Sequence, residues 1–440
     1  MKKKLLVGMA MLLCIGSLFT GCSGQAADDY DGEEQVDEEL LAHLREEPWD
    51  AYEKTENVNP DMESISPFDV VDDMRVGWNL GNSMESTNNN LIRVEKPFKF
   101  ERAWGNPPTT KEMIDEVLAA GFNVIRVPIT WYQHCDPELN IEESWMNRVQ
   151  EVVDYAYSQG AYVIINVHHE NWHEPYYENL DKALFGERKI WAQIAERFKD
   201  YDEHLIFESL NEPRKIGTPV EWNGGDEEGR EVVNLINAEC VKAVRNSGGS
   251  NPYRMIMLPT YAASSTTTAM EAWKAPEGDD RIIVSIHAYT PYNFALNIAD
   301  GAKLNWNNDT AGIDQMISDA KRLYLDNGYP VIIGEFGAVS RDDETERRIE
   351  WVHYYLQSAN AYGIPCIVWD NNNYKKSGER LGLFDRENLS WPYPEYLQAI
   401  MEETASRAPE GAFLFNAEEY RAAHPVQAEE TDSVSENEAE

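Results

Sequence analysis

The sequence predicts an α/β protein built as a single (β/α)₈ TIM barrel, and three observations lead to this prediction. Eight short runs rich in β-branched residues alternate with amphipathic stretches between residues 64 and 404. Several runs are almost entirely apolar, as expected for parallel strands buried on both faces. The first run is followed by Gly81-Asn82-Ser83-Met84, without the GxGxxG loop that a doubly wound sheet usually carries there, so the barrel is favoured over that alternative.

The predicted strands are spread along the whole of this segment. They cover residues 75–80, 123–129, 162–168, 204–210, 254–260, 281–288, 330–334 and 365–370. Three of them contain the uninterrupted Val and Ile triplets 163–165, 282–284 and 331–333. Such triplets fit strands that face helices on one side and a barrel interior on the other.

Amphipathic stretches between the strands predict helices. One opens at Thr109-Thr110-Lys111-Glu112 and ends at Ala120, where Gly121 suits the left-handed position after a helix. A second covers residues 145–158 and is closed by Gly160, and a third covers residues 188–198. Eight such alternations of strand and helix complete a barrel.

The N-terminus has the features of an export signal. Three lysines, residues 2–4, precede an apolar stretch at 5–19 that is too short for a comfortable membrane span. Phe19-Thr20-Gly21-Cys22 resembles a bacterial lipobox. We therefore expect a signal peptide at residues 1–21 and a lipid on Cys22 that anchors the protein to the membrane. The alternative is an ordinary signal peptide cut nearby, and both alternatives predict export.

Acidic segments flank the predicted barrel. Residues 23–63 carry a net charge of −13 and residues 426–440 carry −6, out of a formal −40 for the chain. Such segments repel themselves and bury little apolar surface. We expect a lipid-anchored acidic linker at 22–63, a catalytic domain at 64–404 and an acidic, disordered tail at 405–440. A protein this acidic is a poor partner for nucleic acid, whose phosphates require basic patches.

Cysteine spacing gives no sign of a disulfide framework or a structural zinc site. Beyond the N-terminal segment only Cys135, Cys240 and Cys366 remain, and no two of them form a CxxC pair. We expect three buried, reduced thiols.

Polar side chains cluster where the predicted strands end, which in a barrel is the catalytic face. They are Arg126, His168, His169, Asn211, Glu212, His287, Tyr289, Glu335 and Trp369. Two carboxyls are what cleavage of a glycosidic bond needs, one protonated as acid and one ionised as nucleophile. Glu212 and Glu335 supply them on strands four and seven. If Arg126 is adjacent it holds Glu335 ionised, and Tyr289 can donate a hydrogen bond to it.

Several motifs together resemble glycoside hydrolase family 5. They are Gly77-Trp78-Asn79-Leu80-Gly81-Asn82, Arg126-Val127-Pro128, Asn211-Glu212-Pro213, His287-Ala288-Tyr289 and Gly334-Glu335-Phe336-Gly337. Residues 201–208, 285–295 and 391–394 are similar to its fourth subfamily, known for endoglucanases, lichenases and xyloglucanases. The resemblance covers essentially all of residues 64–404, in order.

This resemblance implies a retaining endo-β-1,4-glucanase that needs no cofactor and no metal. It implies Glu212 as acid/base, Glu335 as nucleophile, Asn211 on the sugar 2-hydroxyl and Trp369 stacked under the sugar that is attacked. Arg126, His168, His287 and Tyr289 match the remaining active-site positions of the family. His169, Trp131, His134, Asn79 and Asn82 are candidate subsite contacts. The expected substrates are cellulose, mixed-linkage β-glucan, xyloglucan or xylan, and the choice among them stays open.

Two other functions have to be weighed. His169-Glu170-Asn171-Trp172-His173 matches the HExxH pattern of zinc peptidases, which works only on a helix, where both imidazoles share one face. Here the pattern directly follows a predicted strand and is closed by Pro175, which favours a loop. The other alternative is a cell-surface glucan-binding protein without turnover. The presence of both glutamates argues against it.

Overall fold

The structure, a computed structural model, describes residues 60–91, 97–341, 345–408 and 412–425. The predicted signal peptide, Cys22, the acidic linker up to residue 59 and residues 426–440 lie outside the described residues. Across the described ranges, no helix combines the length and the apolar character needed to cross a membrane.

Eight parallel strands close into one barrel, so the predicted fold is confirmed and the doubly wound alternative is wrong. The strands pair in chain order, and the eighth returns to pair with the first. They are β1 (Gly77–Leu80), β2 (Val124–Val127), β3 (Tyr162–Asn166), β4 (Leu205–Glu208), β5 (Ile256–Ser264), β6 (Ile282–His287), β7 (Val331–Phe336) and β8 (Cys366–Asp370). Each overlaps one of the eight predicted runs.

Helices surround the barrel and connect its strands. In the described ranges they are α1 (Pro67–Asp73), α2 (Pro97–Glu101), α3 (Lys111–Ala119), α4 (Glu143–Tyr157), α5 (Leu180–Arg197), α6 (Glu227–Arg245), α7 (Thr267–Ala272), α8 (Tyr292–Ala295), α9 (Ala311–Leu323), α10 (Thr345–Asn360), α11 (Pro394–Glu403) and α12 (Ala417–Ala423). Short 3₁₀ helices cover Pro60–Ser64, Tyr132–His134, Tyr177–Asn179, Asn251–Tyr253, Leu325–Asn327 and Ala405–Arg407. The cysteines at 135, 240 and 366 are buried and form no disulfide, as predicted.

The three predicted helices are present, and only the start of the third differs from the prediction by more than two residues. The Thr110 hydroxyl accepts a hydrogen bond from the first turn of α3, and Gly121 after it has a φ of 113°. The third predicted helix begins at Leu180 rather than at residue 188. Gly186 lies inside it, where a Cβ would come within 2.6 Å of the Trp172 ring, so this glycine marks close packing and not a helix end.

The interior of the barrel has two layers of side chains. The lower layer, near the starts of the strands, is apolar, and the upper layer, near their carboxyl ends, is polar. Side chains two residues apart on a strand point to the same face. Inward apolar residues near the strand starts therefore precede inward polar ones by two positions. The pairs are Val124 with Arg126, Ile164 with Asn166, Ile206 with Glu208 and Ile283 with Ser285. The lower layer packs against Val70, Val71 and Met74 at α1, which covers the closed end of the barrel.

Two predicted domain boundaries have to be corrected. The folded domain begins by residue 60 rather than 64, because Met62 is buried and Arg281 donates to the backbone carbonyls of Met62 and Glu63. The predicted disordered tail contains the helix α12. Phe415 before it is only 7% exposed and packs against Trp391. Hydrophobic burial by these few residues outweighs the acidic composition of the segment as a whole.

Candidate active site

Arg126 is the centre of the polar layer at the carboxyl ends of the strands. Its guanidinium is completely buried. Nε donates to Glu208 at 2.7 Å, Nη1 donates to Glu335 at 2.9 Å and to Asn79 at 2.8 Å, and Nη2 donates to Asn211 at 2.8 Å. Four side chains from β1, the β4 region and β7 thus converge on one cation, which fixes the positions of Glu335 and Asn211 at the mouth.

Glu212 and Glu335 face each other across this layer. A carboxyl oxygen of each lies within 4.8 Å of one from the other. Glu335 Oε2 accepts a hydrogen bond from the Tyr289 hydroxyl at 2.9 Å, in addition to the one from Arg126 to Oε1. Glu212 Oε1 lies 3.0 Å from Nδ1 of His287. Glu335 is therefore held by two donors, whereas Glu212 lies beside a ring that can gain or lose a proton.

The ionisation of these groups is governed by burial and by their mutual charges. Burial lowers the pKa of His287, but Glu335, Glu208 and Glu212 outweigh it and raise that pKa to about 9. Burial raises the pKa of Glu335, against the charges of His287 and Arg126. For Glu212, the hydrogen bond and charge of His287 outweigh burial and lower the pKa.

A general acid needs a raised pKa and a nucleophile needs a lowered one. The pKa shifts of Glu212 and Glu335, taken alone, are the reverse of this. The hydrogen bonds resolve the conflict. Arg126 and Tyr289 both donate to Glu335, so its bound form is the carboxylate. His287 and Glu212 share one proton across a 3.0 Å contact, and the proton can move to the Glu212 oxygen without any change of backbone.

A row of aromatic rings lines one side of the mouth. The Trp369 and His168 rings are stacked with centroids 6.0 Å apart, His168 contacts His169 at 4.4 Å, and His169 contacts Trp104 at 5.6 Å. Burial lowers the pKa of both histidines, that of His169 to about 4, so the row is neutral. Gly81 lies against the indole, where a Cβ would come within 2.8 Å of Trp369. Flat, neutral rings of this kind suit the apolar faces of sugars.

The sequence model of Cellulase (glycosyl hydrolase family 5) matches residues 84–375, which include both glutamates and strands β2 to β8.

The chain belongs to glycosyl hydrolase family 5.

Known family 5 proteins resemble the chain over most of its length. Endoglucanase A of Ruminococcus albus is 46% identical, over 78% of this chain and 94% of its own. A GH5-4 broad specificity endoglucanase from Ruminococcus champanellensis, solved with bound cellotriose, is 43% identical with a TM-score of 0.73, over 77% of this chain and 98% of its own. XEG5A, a xyloglucan-specific endo-β-1,4-glucanase from a metagenomic library, is 38% identical with a TM-score of 0.72, over 76% and 97%.

This family 5 barrel brings most of the predicted site residues together at its mouth. They are Arg126, His168, His169, Asn211, Glu212, His287, Tyr289, Glu335 and Trp369. The common cause is their position at the carboxyl ends of strands, which all open on the same end of the barrel.

Trp131 and His134 do not belong to this group, contrary to the sequence interpretation. Both are buried, at 0% and 2% exposure. The Trp131 indole donates to the backbone carbonyl of Asn166, and the His134 ring stacks on Trp145 with centroids 3.6 Å apart. Burial lowers the pKa of His134 to about 3, so it is a neutral core ring. These two residues are packing groups and not subsite contacts.

Asn79 and Asn82 have supporting places rather than open ones. Asn79 is fully buried, accepts from Arg126 and donates to the backbone carbonyl of Gly334 at 2.9 Å. It therefore orients the guanidinium and cannot reach a sugar. Asn82 is half-buried with a φ of 59°, and its backbone carbonyl accepts from Asn106 at 2.8 Å. Its backbone conformation shapes the turn that follows β1.

Four residues at the site were not among the predicted ones: Trp104, Glu208, Arg214 and Ser285. The alternation rule identifies Glu208 and Ser285, because each comes two positions after an inward apolar residue. Arg214 stacks over Trp222 at 4.3 Å and its Nη1 lies 3.9 Å from Glu212 Oε2. Trp104 and Arg214 lie in loops, where sequence periodicity carries no signal.

The HExxH segment forms a loop, as expected, and no helix. Glu170 accepts hydrogen bonds from the backbone N–H groups of Trp131 and Tyr132 at 2.6 and 2.9 Å and from the Trp172 indole at 3.0 Å. Its carboxyl thereby ties two loops of the mouth together. His173 is buried beside the Trp172 ring. The shared helical face that a zinc peptidase needs is absent from this segment.

Two clusters in the described residues bring acidic and histidine ligand atoms within 4.8 Å of one another. They are Glu212, His287 and Glu335 at the mouth, and Asp202, Glu203 and His204 before β4. In the first cluster the carboxyls are already bound by Arg126, Tyr289 and His287. That arrangement suits proton transfer and nucleophilic attack by carboxylates.

Proposed function

We propose that this family 5 chain is a retaining endo-β-1,4-glucanase in which Glu335 is the nucleophile and Glu212 is the acid and base. One observation carries the proposal: a carboxyl oxygen of Glu212, in the segment after β4, lies within 4.8 Å of one from Glu335 at the end of β7. Retaining glycosidases keep their carboxyls about 5–5.5 Å apart, whereas inverting ones need about 6.5–9.5 Å to admit a water.

In the first step Glu335 attacks the anomeric carbon. A bond forms between its oxygen and that carbon as the glycosidic carbon–oxygen bond breaks, and Glu212 gives its proton to the departing oxygen. Arg126 and Tyr289 keep Glu335 ionised and aimed until attack. Asn211, oriented by Arg126, is placed to bind the 2-hydroxyl of the attacked sugar.

In the second step water replaces Glu335. The Glu212 carboxylate takes a proton from the water, whose oxygen bonds to the anomeric carbon as the ester to Glu335 breaks. His287 supports both steps, because it stabilises Glu212 as a carboxylate after the first and shares the recovered proton after the second. Both carboxyls end in their starting states.

The stereochemistry of the product tests this proposal. Two successive inversions give net retention, so hydrolysis of a β-linked glucan first releases the β-anomer. Proton NMR during the first minutes, before mutarotation, measures it. An initial α-anomer would mean that another pair of groups performs the reaction.

The proposed substrates are β-1,4-linked glucans such as cellulose, mixed-linkage β-glucan and xyloglucan. Two structural relatives support this range, since one is an endoglucanase of broad specificity and the other is xyloglucan-specific. Two exposed aromatic side chains offer further surfaces for sugars, Trp222 in the loop after β4 and Tyr292 at the start of α8. Reducing-end release from cellulose, barley glucan, xyloglucan and xylan ranks the candidates. Assays after dialysis against a chelator test the zinc alternative in the same experiment.

We also propose that the protein is exported and anchored through a lipid on Cys22. The basic residues 2–4, the apolar stretch and Phe19-Thr20-Gly21-Cys22 support this. Labelled palmitate should enter the wild-type protein and not Cys22→Ala, which should be released from the membrane fraction. Release of the wild-type protein without label would favour the ordinary signal peptide.

A further inference from the structure

A buried carboxylate, Glu208, lies beneath the catalytic pair. Glu208 ends β4 and has no exposed surface. Its Oε2 accepts from Nε of Arg126 at 2.7 Å and from Asn166 at 3.2 Å, and its Oε1 accepts from the Ser285 hydroxyl at 2.7 Å. No substrate atom can reach it, because Arg126 lies between Glu208 and Glu335.

Burying a charge is costly unless the charge is paired and hydrogen-bonded. Glu208 shares Arg126 with Glu335, so one guanidinium serves two carboxylates. The Nε bond to Glu208 also sets the plane of the guanidinium and thereby aims Nη1 at Glu335. With Glu208 neutral, the whole charge of Arg126 would act on the catalytic pair.

We propose that Glu208 is a positioning residue of the proposed glucanase reaction, one that aims Arg126 and offsets its charge so that Glu212 and His287 retain the proton that they share. The inference rests on the proposed function. It assigns to Glu208 an effect on proton transfer beyond its part in the folded core.

The charges that face this network come from five strands or their loops. Arg126 on β2, His287 on β6 and Glu335 on β7 surround Glu208, whose Oε1 is 3.9 Å from Nε2 of His287. His168 on the β3 side shares Asn166 with it.

Glu212 is additionally faced by Arg214 and His169, which lie in the loops after β4 and β3. Burial raises the pKa of Glu208, but the charge of Arg126 and the hydrogen bonds lower it to about 2, so its charge is constant wherever the protein is folded.

Removing this charge should shift the pH dependence of the reaction. In Glu208→Gln one negative charge is lost near Glu212, Glu335 and His287, so the carboxylate forms become more stable and His287 loses its proton more easily. Both limbs of the kcat/KM profile should therefore move to lower pH, by about one unit for a charge several ångströms away. At pH values above the alkaline limb this costs about tenfold in rate.

The test compares three variants with the wild type on a soluble β-glucan. Glu208→Gln removes the charge, and Glu208→Asp keeps it with altered geometry. Glu101→Gln is the matched control, since Glu101 is also fully buried and accepts from Nε of an arginine, Arg148, at 2.8 Å, outside the mouth. Folded fraction is measured by circular dichroism at each pH.

We expect Glu208→Gln to shift both limbs, while Glu208→Asp lowers kcat with both limbs in place and Glu101→Gln shifts neither. On a dinitrophenyl cellobioside, which needs no proton for its leaving group, the alkaline difference between Glu208→Gln and wild type should vanish.

If both limbs of the kcat/KM profile stay in place in folded Glu208→Gln, the proposal is wrong. If that variant does not fold, Glu208→Asp decides, because a shift of one unit with the charge retained contradicts it. Wild-type protein assayed in parallel separates the two hypotheses: lack of glucanase turnover there refutes the proposed function instead.

Discussion

At the scale of single residues, Tyr289 and Arg126 bind the same carboxylate from two sides. The Tyr289 hydroxyl donates to Oε2 of Glu335 and Arg126 donates to Oε1, so each oxygen has its own donor. A hydrogen bond to the ionised form of a carboxyl lowers its pKa. The hydroxyl therefore widens the pH range in which Glu335 can attack.

Tyr289→Phe removes this donor and should raise the pKa of Glu335. Because Glu335 must be ionised to attack, the acid limb of the kcat/KM profile should move up by about half a unit to one unit. The alkaline limb, which depends on Glu212 and His287, should stay. A pH profile on a soluble glucan measures both. Movement of the alkaline limb alone would mean that Tyr289 acts on the acid instead.

The two glutamates should fail in different ways when each is replaced. Glu335→Ala prevents formation of the covalent intermediate and should lower kcat by about 10⁴-fold or more on every substrate. Glu212→Ala should cost about 10²- to 10⁴-fold on polysaccharide, because the leaving oxygen is no longer protonated.

An activated aryl cellobioside distinguishes the two roles, since its leaving group departs without a proton. Glu212→Ala should form the covalent intermediate on it at a nearly normal rate, seen as a burst of aryl alcohol. Equal damage by Glu212→Ala on both substrate classes would be incompatible with its role as general acid.

At the scale of elements, the contact between β1 and β8 sets the position of Trp369. The turn after β1 brings Gly81 against the indole, and the Gly81 N–H donates to the backbone carbonyl of Asp370 at 3.0 Å. A Cβ at Gly81 would lie 2.8 Å from both the indole and that carbonyl. Close approach of two backbones, and not a special φ, is what requires glycine here.

Gly81→Ala should therefore displace Trp369. We expect a loss of about 10- to 100-fold in kcat/KM from the misplaced ring, with a stability cost of about 1–3 kcal/mol. Gly77→Ala is the matched control in β1, because its Cβ would meet Ile367 at 2.7 Å in the lower, apolar layer. It should lower Tm while activity per folded molecule stays normal. Equal activity losses in both variants would argue against a specific effect on Trp369.

At the scale of the whole molecule, the C-terminal segment braces the barrel. The Tyr420 hydroxyl accepts a hydrogen bond from the backbone N–H of Trp391 at 2.8 Å, and the Arg421 guanidinium donates two hydrogen bonds to Glu395 on α11. Phe415 packs on Trp391 and Tyr420. The segment thereby covers the Trp391 ring. This ring also packs against Phe384 in the loop after β8.

Ending the chain at residue 408 should lower the free energy of unfolding by about 2–4 kcal/mol, mainly through the lost burial of Phe415. A chain ending at residue 425 retains all of these contacts and is the control. Thermal unfolding of both shows the difference. If the two chains unfold at the same temperature, the packing of α12 contributes nothing to stability.

The sequence was most informative where periodicity and position act together. Apolar runs that alternate with amphipathic stretches predict all eight strands. Polar residues at the ends of these runs predict that Glu212, Glu335 and Arg126 lie at one mouth of the barrel. Trp131 and His134 were misassigned because closeness to a strand end does not reveal which way a loop turns its side chains. Phe415 and α12 were missed because the acidic composition of the whole C-terminal segment hides the few residues in it that pack against the barrel domain.

The described part of the domain begins at the closed end of the barrel, and this has a consequence for how the domain can be attached. Residues 62–74 lie against the starts of the strands, where Arg281 holds their carbonyls, while Glu212 and Glu335 lie at the opposite end. The point at which the described domain begins is therefore on the side away from the cleft. Residues 60–74 leave the mouth clear for a polymer strand to lie across it.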